Sequence, residues 1–178
     1  MSKIAREIED ALKAVSIARL FFHAEAGATQ ALDLQLWKLL KRGSAILRAE
    51  MAEQLAHAPD GPRITLRGLA CDDNPDVALP VLRHSAAISA AALAEMARCK
   101  GEDHLNAIAA RSHLDMRVAT ILARRGGFRV LKTLLRNRTA RLEGRLLKRL
   151  RQQLRHQRAT GARKSPSRSS GPASICLR

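Results

Sequence analysis

The sequence has almost no aromatic residues, with three phenylalanines, one tryptophan and no tyrosine in 178 residues. Alanine, leucine, isoleucine and valine must therefore supply nearly all of its core. Alanine and leucine favour helices, whereas strands are enriched in β-branched and aromatic side chains. The composition predicts an all-α protein that forms one domain with an appended tail.

Cysteines and long apolar runs are equally scarce. Cys71, Cys99 and Cys176 are odd in number and lack tight spacing, which argues against a disulfide framework and against a zinc site. Glu7 and Glu9 interrupt the apolar residues near the amino end, so nothing there resembles a signal peptide. No uncharged apolar stretch approaches the roughly 20 residues that span a bilayer. We expect a soluble, cytoplasmic protein.

The sequence also lacks the patterns of known catalytic and metal sites. Its six histidines include no pair four residues apart, and none has a cysteine at ligand spacing. The carboxylates of residues 72–76 lack the glycine and the late glutamate of a calcium loop, and helix capping explains them. No glycine-rich phosphate loop and no nucleophile elbow occur. We expect a protein that is not an enzyme and that uses no cofactor or metal.

One enzyme class remains open, namely the helical-repeat proteins that remove damaged bases from DNA. Their sites need aromatic residues around the flipped base and a placed carboxylate. Trp37 is the only indole, and it lies far along the chain from the basic end. The sequence favours this alternative least.

The first two thirds of the sequence have no net charge, and the excess of positive charge lies in the last third. Residues 1–123 contain 15 Lys and Arg against 15 Asp and Glu, whereas residues 124–178 contain 17 against the single Glu143. The whole formal net charge of +16 therefore lies after residue 123. Such an end attracts anionic partners at long range, and salt screens the attraction.

Helix boundaries are marked by capping residues. Apolar spacing predicts a first helix over residues 2–26, ended by Gly27, and a second that begins at Thr29. Ser44 is expected to cap a third helix, and Asn74 to cap a helix that starts at Pro75. Basic residues followed by glycine recur at residues 41–43, 99–101 and 124–127. We expect each glycine to end a helix in the left-handed conformation.

Four similar runs recur at nearly constant spacing. They end at His57, His84, Arg111 and Asn137, which are separated by 27, 27 and 26 residues, and each run is expected to end a helix. A period in this range predicts stacked helix pairs, because one pair cannot bury its apolar face alone. Two cysteines, at positions 71 and 99, are expected to be small buried positions of successive units.

The last third is predicted to contain one basic amphipathic helix, over residues 139–158, in which Leu142, Leu146, Leu150 and Leu154 recur every four residues. Residues 159–178 are rich in Ser, Gly, Pro and Arg and are expected to be disordered. The expected organisation is therefore N-terminal helices that cap a solenoid at residues 1–43, helical repeats at 44–158 and a tail at 159–178. This tail fits either a functional extension or a truncated protein read out of frame.

A family resemblance supports this organisation. Residues 69–89 read LACDDNPDVALPVLRHSAAIS. This run resembles a bacterial domain family of unknown function that is built from HEAT-like, or leucine-rich-repeat-variant, helical units. The resemblance covers about residues 30–150. It implies an α-solenoid of HEAT-like helix pairs and contributes no catalytic residue. The expected fold is this solenoid followed by the basic C-terminal helix that the residues predict.

These features favour a non-catalytic scaffold or adaptor that binds a protein partner. The alternative is a polyanion-associated or DNA-associated protein that uses the basic C-terminal third. A membrane surface is less favoured, because the basic helix lacks Trp and Phe anchors. The candidate contacts for a partner or a polyanion are Arg124, Arg125, Arg129, Lys132, Arg136, Arg138, Arg141, Arg145, Lys148 and Arg149.

Overall fold

The computed structural model of the chain describes residues 3–140, 142 and 144–159. Most of these residues lie in ten α-helices and none lies in a β-strand, so the predicted all-α class is confirmed for the part described. The helices are α1 (Lys3–His23), α2 (Ala26–Arg42), α3 (Ala45–Ala56), α4 (Arg63–Ala70), α5 (Pro75–His84), α6 (Ala90–Cys99), α7 (Glu102–Ala109), α8 (Met116–Arg125), α9 (Phe128–Arg136) and α10 (Gly144–Ala159).

The chain divides into two compact units, Met1–Ile88 and Ser89–Arg178. The predicted tail falls almost entirely on residues 160–178, which lie outside the described part of the chain. The boundaries predicted at residues 43 and 158 stay predictions.

In the first unit, helices pack against the next helix but one. Helix α2 packs against α4, and α3 packs against α5, while α1 lies along α2. The aliphatic side chains between them are fully buried, among them Leu36, Leu40, Met51, Leu66 and Leu82. Aliphatic residues thus supply the core, as the composition predicts. Each such side chain stabilises the fold by about 2–5 kcal/mol relative to alanine.

A buried carboxylate joins α2 to α4. Helix α4 begins after Pro62, which offers no side-chain oxygen to its first amides. Asp33 of α2, only 5% exposed, accepts hydrogen bonds from the Ile64 and Thr65 amides at 2.8 and 2.9 Å and from the Thr65 hydroxyl at 2.8 Å. Asp33 therefore provides from a neighbouring helix the cap that the local sequence lacks.

The predicted caps at Ser44 and Asn74 are confirmed. The Ser44 hydroxyl accepts from the Leu47 amide at 3.2 Å, and the Asn74 side chain accepts from the Asp76 amide at 3.0 Å. Asp72 accepts from the Asn74 amide at 2.9 Å and from Arg48 Nε at 2.7 Å. The acidic cluster of residues 72–76 is thus partly engaged in helix capping and in the ion pair between Asp72 and Arg48.

In the second unit the same packing order returns. Helix α6 packs against α8, α7 packs against α9, and α10 packs against α9. Fully buried side chains again are mostly aliphatic, among them Met96, Ile108, Leu122, Leu131 and Leu150. Leu150 belongs to the predicted basic amphipathic helix. Helix α10 begins at Gly144, five residues after the predicted start at residue 139, and ends within one residue of the predicted end.

The expected role of the glycines is wrong. Gly43 and Gly126 cap their helices with φ of −70° and −67°, so neither takes the left-handed conformation. Gly126 instead has no room for a side chain, since a Cβ there would lie 2.5 Å from Val130 Cγ1. Gly27 lies inside α2, and α1 already ends at His23. Close approach of neighbouring groups, rather than backbone handedness, requires the glycine at position 126.

The four repeated positions lie at helix ends. His57 directly follows α3, and His84 is the last residue of α5. Arg111 lies just after α7, and Asn137 directly follows α9. The rings of His57 and His84 have centroids 4.6 Å apart, and Asn137 Nδ2 donates to the Arg111 carbonyl oxygen at 2.7 Å. Equivalent positions are therefore in contact within each unit.

The expectation that two cysteines are buried is wrong for one and inexact for the other. Cys99 is exposed at the end of α6, and Cys71 is half-buried at the end of α4. The Cys99 thiol donates to the Glu95 carbonyl oxygen at 2.9 Å. Near-equal positions in the period therefore do not bring equal burial.

Candidate binding surfaces

The predicted basic contacts that lie in the described part of the chain fall on α8, α9 and α10 and on the turn after α9. Among them Arg124, Lys132, Arg136, Arg138 and Lys148 are exposed. Arg141 lies outside the described residues, as do the side chains of Arg145 and Arg149. The structure thus exposes half of the ten predicted side chains without giving them an internal role.

Arg125 and Arg129 have structural roles. Arg125 Nη1 donates to the carbonyl oxygens of Ala97 at 2.6 Å and Lys100 at 3.4 Å, which end α6. Arg129 pairs with Asp103 of α7 at 3.3 Å. A cation at a helix C-terminus satisfies carbonyls that have no helical partner. Both side chains therefore link neighbouring helices, although both remain exposed.

Helix α9 separates its apolar and basic residues. Val130, Leu131 and Leu134 are buried, whereas Lys132 and Arg136 are exposed. On α10, Leu150 is buried and Lys148, Arg151 and Arg155 are exposed. We define the basic surface as these exposed side chains of α8, α9 and α10 and of the turn after α9, namely Arg124, Lys132, Arg136, Arg138, Lys148, Arg151 and Arg155.

Polar side chains of the second unit connect α7 to α9. The Gly127 amide, at the start of α9, donates to both carboxylate oxygens of Glu102 at 3.1 Å. The Thr133 hydroxyl donates to Asn106 Oδ1 at 2.7 Å. These contacts, like those of residues 125, 129 and 137, join residues 25–28 positions apart, close to the predicted period of 26–27.

A groove of about 580 Å³ runs between α1 and α2 in the first unit. Leu12, Ile17 and Leu39 provide its apolar lining, and Lys38 and Arg42 lie along one side. Its lining also includes Glu9, Lys13, Ser16 and Gln35. We name it the α1–α2 groove. Sequence reasoning missed it because Leu12 and Leu39 follow the helical spacing of core residues.

Glu9 and Lys13 pair across one helical turn at the edge of this groove. The hydrogen bond from Lys13 lowers the pKa of the Glu9 carboxyl below its ordinary value, and the same bond raises the pKa of Lys13. Both side chains are about half exposed, so the pair contributes little stability. Lys38 and Arg42 give the groove an excess of positive charge.

Large exposed apolar side chains are concentrated in the first unit. Six of the seven recorded for the described residues lie there, namely Ile8, Leu12, Leu20, Phe22, Leu34 and Ile46. Single exposed apolar residues are ordinary, and of these six Leu12 lines the α1–α2 groove.

The structure offers no group of three or more His, Cys, Asp or Glu that could hold a metal ion within the ranges it describes. Arg111 is only 7% exposed, and burial lowers the pKa of its guanidinium. Over the same described ranges, each helix is too short or too polar to cross a membrane.

Comparison with known families gives one match. Residues 77–164, just under half of the chain, match the model of a family described as "Uncharacterised protein conserved in bacteria (DUF2336)". The chain is therefore similar over this range to bacterial proteins of uncharacterised function, and the range begins later than the resemblance seen in the sequence. No curated protein and no solved structure matches the chain.

Proposed function

We propose that the chain is a non-catalytic scaffold, built as a solenoid of HEAT-like helix pairs, that binds a protein partner. The repeat is supported by the packing of α2 against α4, α3 against α5, α6 against α8 and α7 against α9, and by polar contacts near the predicted period. Stacked repeats provide long contact surfaces that require no reactive group. The exposed Cys99 thiol is compatible with a reducing cytoplasm, the location we propose.

The observation that carries the proposal is the α1–α2 groove. It is apolar along Leu12, Ile17 and Leu39 and has Lys38 and Arg42 beside it. An amphipathic helix binds such a groove through its apolar face. Because the neighbouring charges are mainly positive, we propose that the partner helix has acidic residues along its edge.

Affinity purification from a nuclease-treated native lysate tests this function. Wild-type protein is expected to recover a stoichiometric protein, and Lys38→Glu is expected to lose most of it, because the substitution reverses a charge beside the groove. Lys132→Glu, on the basic surface of the other unit, is the matched control and should recover it normally. Equal recovery by wild type and Lys38→Glu would contradict binding in the groove.

A second candidate, association with a polyanion such as duplex DNA, is supported by the basic surface. Its seven exposed cations lie in a part of the sequence with a single carboxylate, Glu143. Contacts of this kind release counterions and give salt-dependent binding without sequence preference.

Duplex binding at low salt distinguishes this candidate. At about 50 mM salt, where phosphate contacts are strongest, the basic surface should bind, and binding should fall steeply by about 200 mM. Lys132→Glu should weaken it and Lys38→Glu should not. Absence of binding at the lower salt concentration would remove the candidate.

A further inference from the structure

One face of α1 is exposed and carries apolar residues at coiled-coil spacing. Ile8 is 56% exposed, Leu12 is 65% exposed and Phe22 is 50% exposed, while Val15 between them is half-buried. With Arg19 included, these residues stand at positions 8, 12, 15, 19 and 22, so the steps between them are four, three, four and three. This is the spacing of the a and d positions in a coiled-coil heptad. We name Ile8, Leu12, Val15, Arg19 and Phe22 the α1 seam.

The α1 seam is distinct from the side of α1 that packs inside the protein. Ala14 and Ala18 are buried on that inner side, where α1 lies along α2. Helix α1 therefore packs inside the protein through small residues, and it exposes larger apolar residues to solvent on the seam. The seam extends for about 20 Å, long enough for roughly four helical turns of contact.

Charge is distributed unequally along α1. Residues 3–11 contain Lys3 and Arg6 against three carboxylates, whereas residues 12–23 contain Lys13 and Arg19 and no carboxylate. Two copies of this helix side by side in the same direction would bring like charges together. In the opposite direction, the acidic end of each helix would face the basic end of the other.

The seam itself fits the antiparallel arrangement. If Leu12 of one copy lies opposite Val15 of the other, then Arg19 of the first copy lies opposite Ile8 of the second and beside its Glu9. Two-fold symmetry repeats this Arg19 contact with the copies exchanged. A parallel pair would instead place Arg19 against Arg19. An arginine at an a position costs stability unless a carboxylate is nearby, so it selects the antiparallel register.

We propose that a second copy of this chain docks on the α1 seam in an antiparallel, two-fold arrangement, with Arg19 of each copy beside Glu9 of the other. The inference goes beyond the protein partner proposed above, because the seam shares only Leu12 with the α1–α2 groove and has another occupant. A single helix pair buries less than the roughly 1,200 Å² of a standard stable interface. The dimer is therefore weak, reversible and dependent on concentration.

Analytical ultracentrifugation of the full chain over a hundredfold range of concentration tests the proposal. Wild type should shift from monomer towards dimer as concentration rises. Ile8→Lys should abolish the shift, because it places a cation beside Arg19 of the other copy. Leu20→Lys is the matched control: Leu20 lies on the same helix with 58% exposure but outside the seam, so its substitution should leave the dimer intact.

Charge reversal tests the direction of the helices. Arg19→Glu and Glu9→Arg should each weaken dimerisation by about tenfold, since each affects two symmetric contacts. The double variant Arg19→Glu with Glu9→Arg should recover most of the wild-type affinity. Far-ultraviolet circular dichroism of each variant checks that its helices are intact.

Three results would overturn the proposal. A wild type that stays monomeric excludes self-docking, and the groove proposal is then still decided separately by Lys38→Glu. Equal weakening by Ile8→Lys and Leu20→Lys would place any dimer elsewhere. Loss of the dimer in Ile8→Lys without recovery in the charge-swapped double variant would exclude the antiparallel register.

Discussion

The imidazole rings of His57 and His84, 27 residues apart in sequence, lie with their centroids 4.6 Å apart at an interplanar angle of 36°. His57 follows α3 and His84 ends α5, so the contact joins the same end of two helices that pack side by side. In the second unit, the equivalent residues Arg111 and Asn137, which follow α7 and α9, are joined by a hydrogen bond. A sequence period thus corresponds to a physical contact in each unit.

Asp33 is predicted to be a major determinant of stability in the first unit. Asp33→Asn replaces one carboxylate oxygen with an amide nitrogen, so one of the donors at the start of α4 loses its acceptor in a buried position. We expect a loss of about 1–3 kcal/mol in the free energy of unfolding, measured by urea denaturation. Glu53→Gln, which removes an exposed carboxylate from α3, should change it by less than about 0.5 kcal/mol. Equal effects would contradict the capping role.

Gly68 is predicted to tolerate no side chain. A Cβ at this position would lie 2.4 Å from the Trp37 ring, so Gly68→Ala must displace the indole or separate α2 from α4. We expect destabilisation by about 1–3 kcal/mol and a shift in tryptophan fluorescence. Gly101→Ala is the control, since nothing lies within 4 Å of its Cβ position. Unchanged fluorescence in Gly68→Ala would show that the indole does not cover this glycine.

Asn137 is predicted to hold α9 to the end of α7. Its amide nitrogen donates to the carbonyl oxygens of Ala109 and Arg111 at 2.9 and 2.7 Å, and Asn137→Ala removes both bonds. The free energy of unfolding should fall by about 1–2 kcal/mol. Gln152→Ala, at an exposed amide of α10, should have almost no effect. A neutral result at Asn137 would indicate that this contact does not stabilise the repeat.

The pair of Glu9 and Lys13 predicts a small pH dependence. Because Lys13 lowers the pKa of Glu9 below its ordinary value of 4.5, the carboxylate favours the folded helix above that pH. This contribution is lost as the pH falls through the lowered pKa. Titration of the Glu9 carboxyl by NMR should give a pKa below 4.5 in wild type and a return towards it in Lys13→Gln. An unchanged Glu9 titration in Lys13→Gln would contradict the pairing.

Features fixed by neighbours in sequence were predictable. Ser44 and Asn74 cap helices through amides two or three residues away, so their residue types alone indicate the function. The spacing of His57 and His84 likewise indicates stacked helices. The requirement for glycine at position 126 was not predictable, although Val130 and Leu122 are only four residues away, because it depends on how closely the start of α9 approaches the end of α8. The local pattern suggested left-handed backbone instead.

The candidate sites were likewise predictable only in part. Clustered charge in the sequence identified Lys132 and Arg136 as exposed, but it could not separate them from Arg125, which caps α6 through a contact 28 residues away. The α1–α2 groove could not be predicted, because its depth depends on how closely α1 and α2 approach each other in the fold. Apolar spacing alone assigns Leu12 to the core, although it is mostly exposed.

Photo-cross-linking from inside the α1–α2 groove tests the central claim, that the chain acts by binding a protein there, most directly. A photoreactive amino acid replaces Gln35, which lines the groove, and in a control replaces Lys132. In a nuclease-treated lysate, the probe at position 35 should give one discrete protein adduct that the probe at position 132 does not give. Absence of an adduct from position 35, or the same adduct from both positions, would contradict binding in the groove.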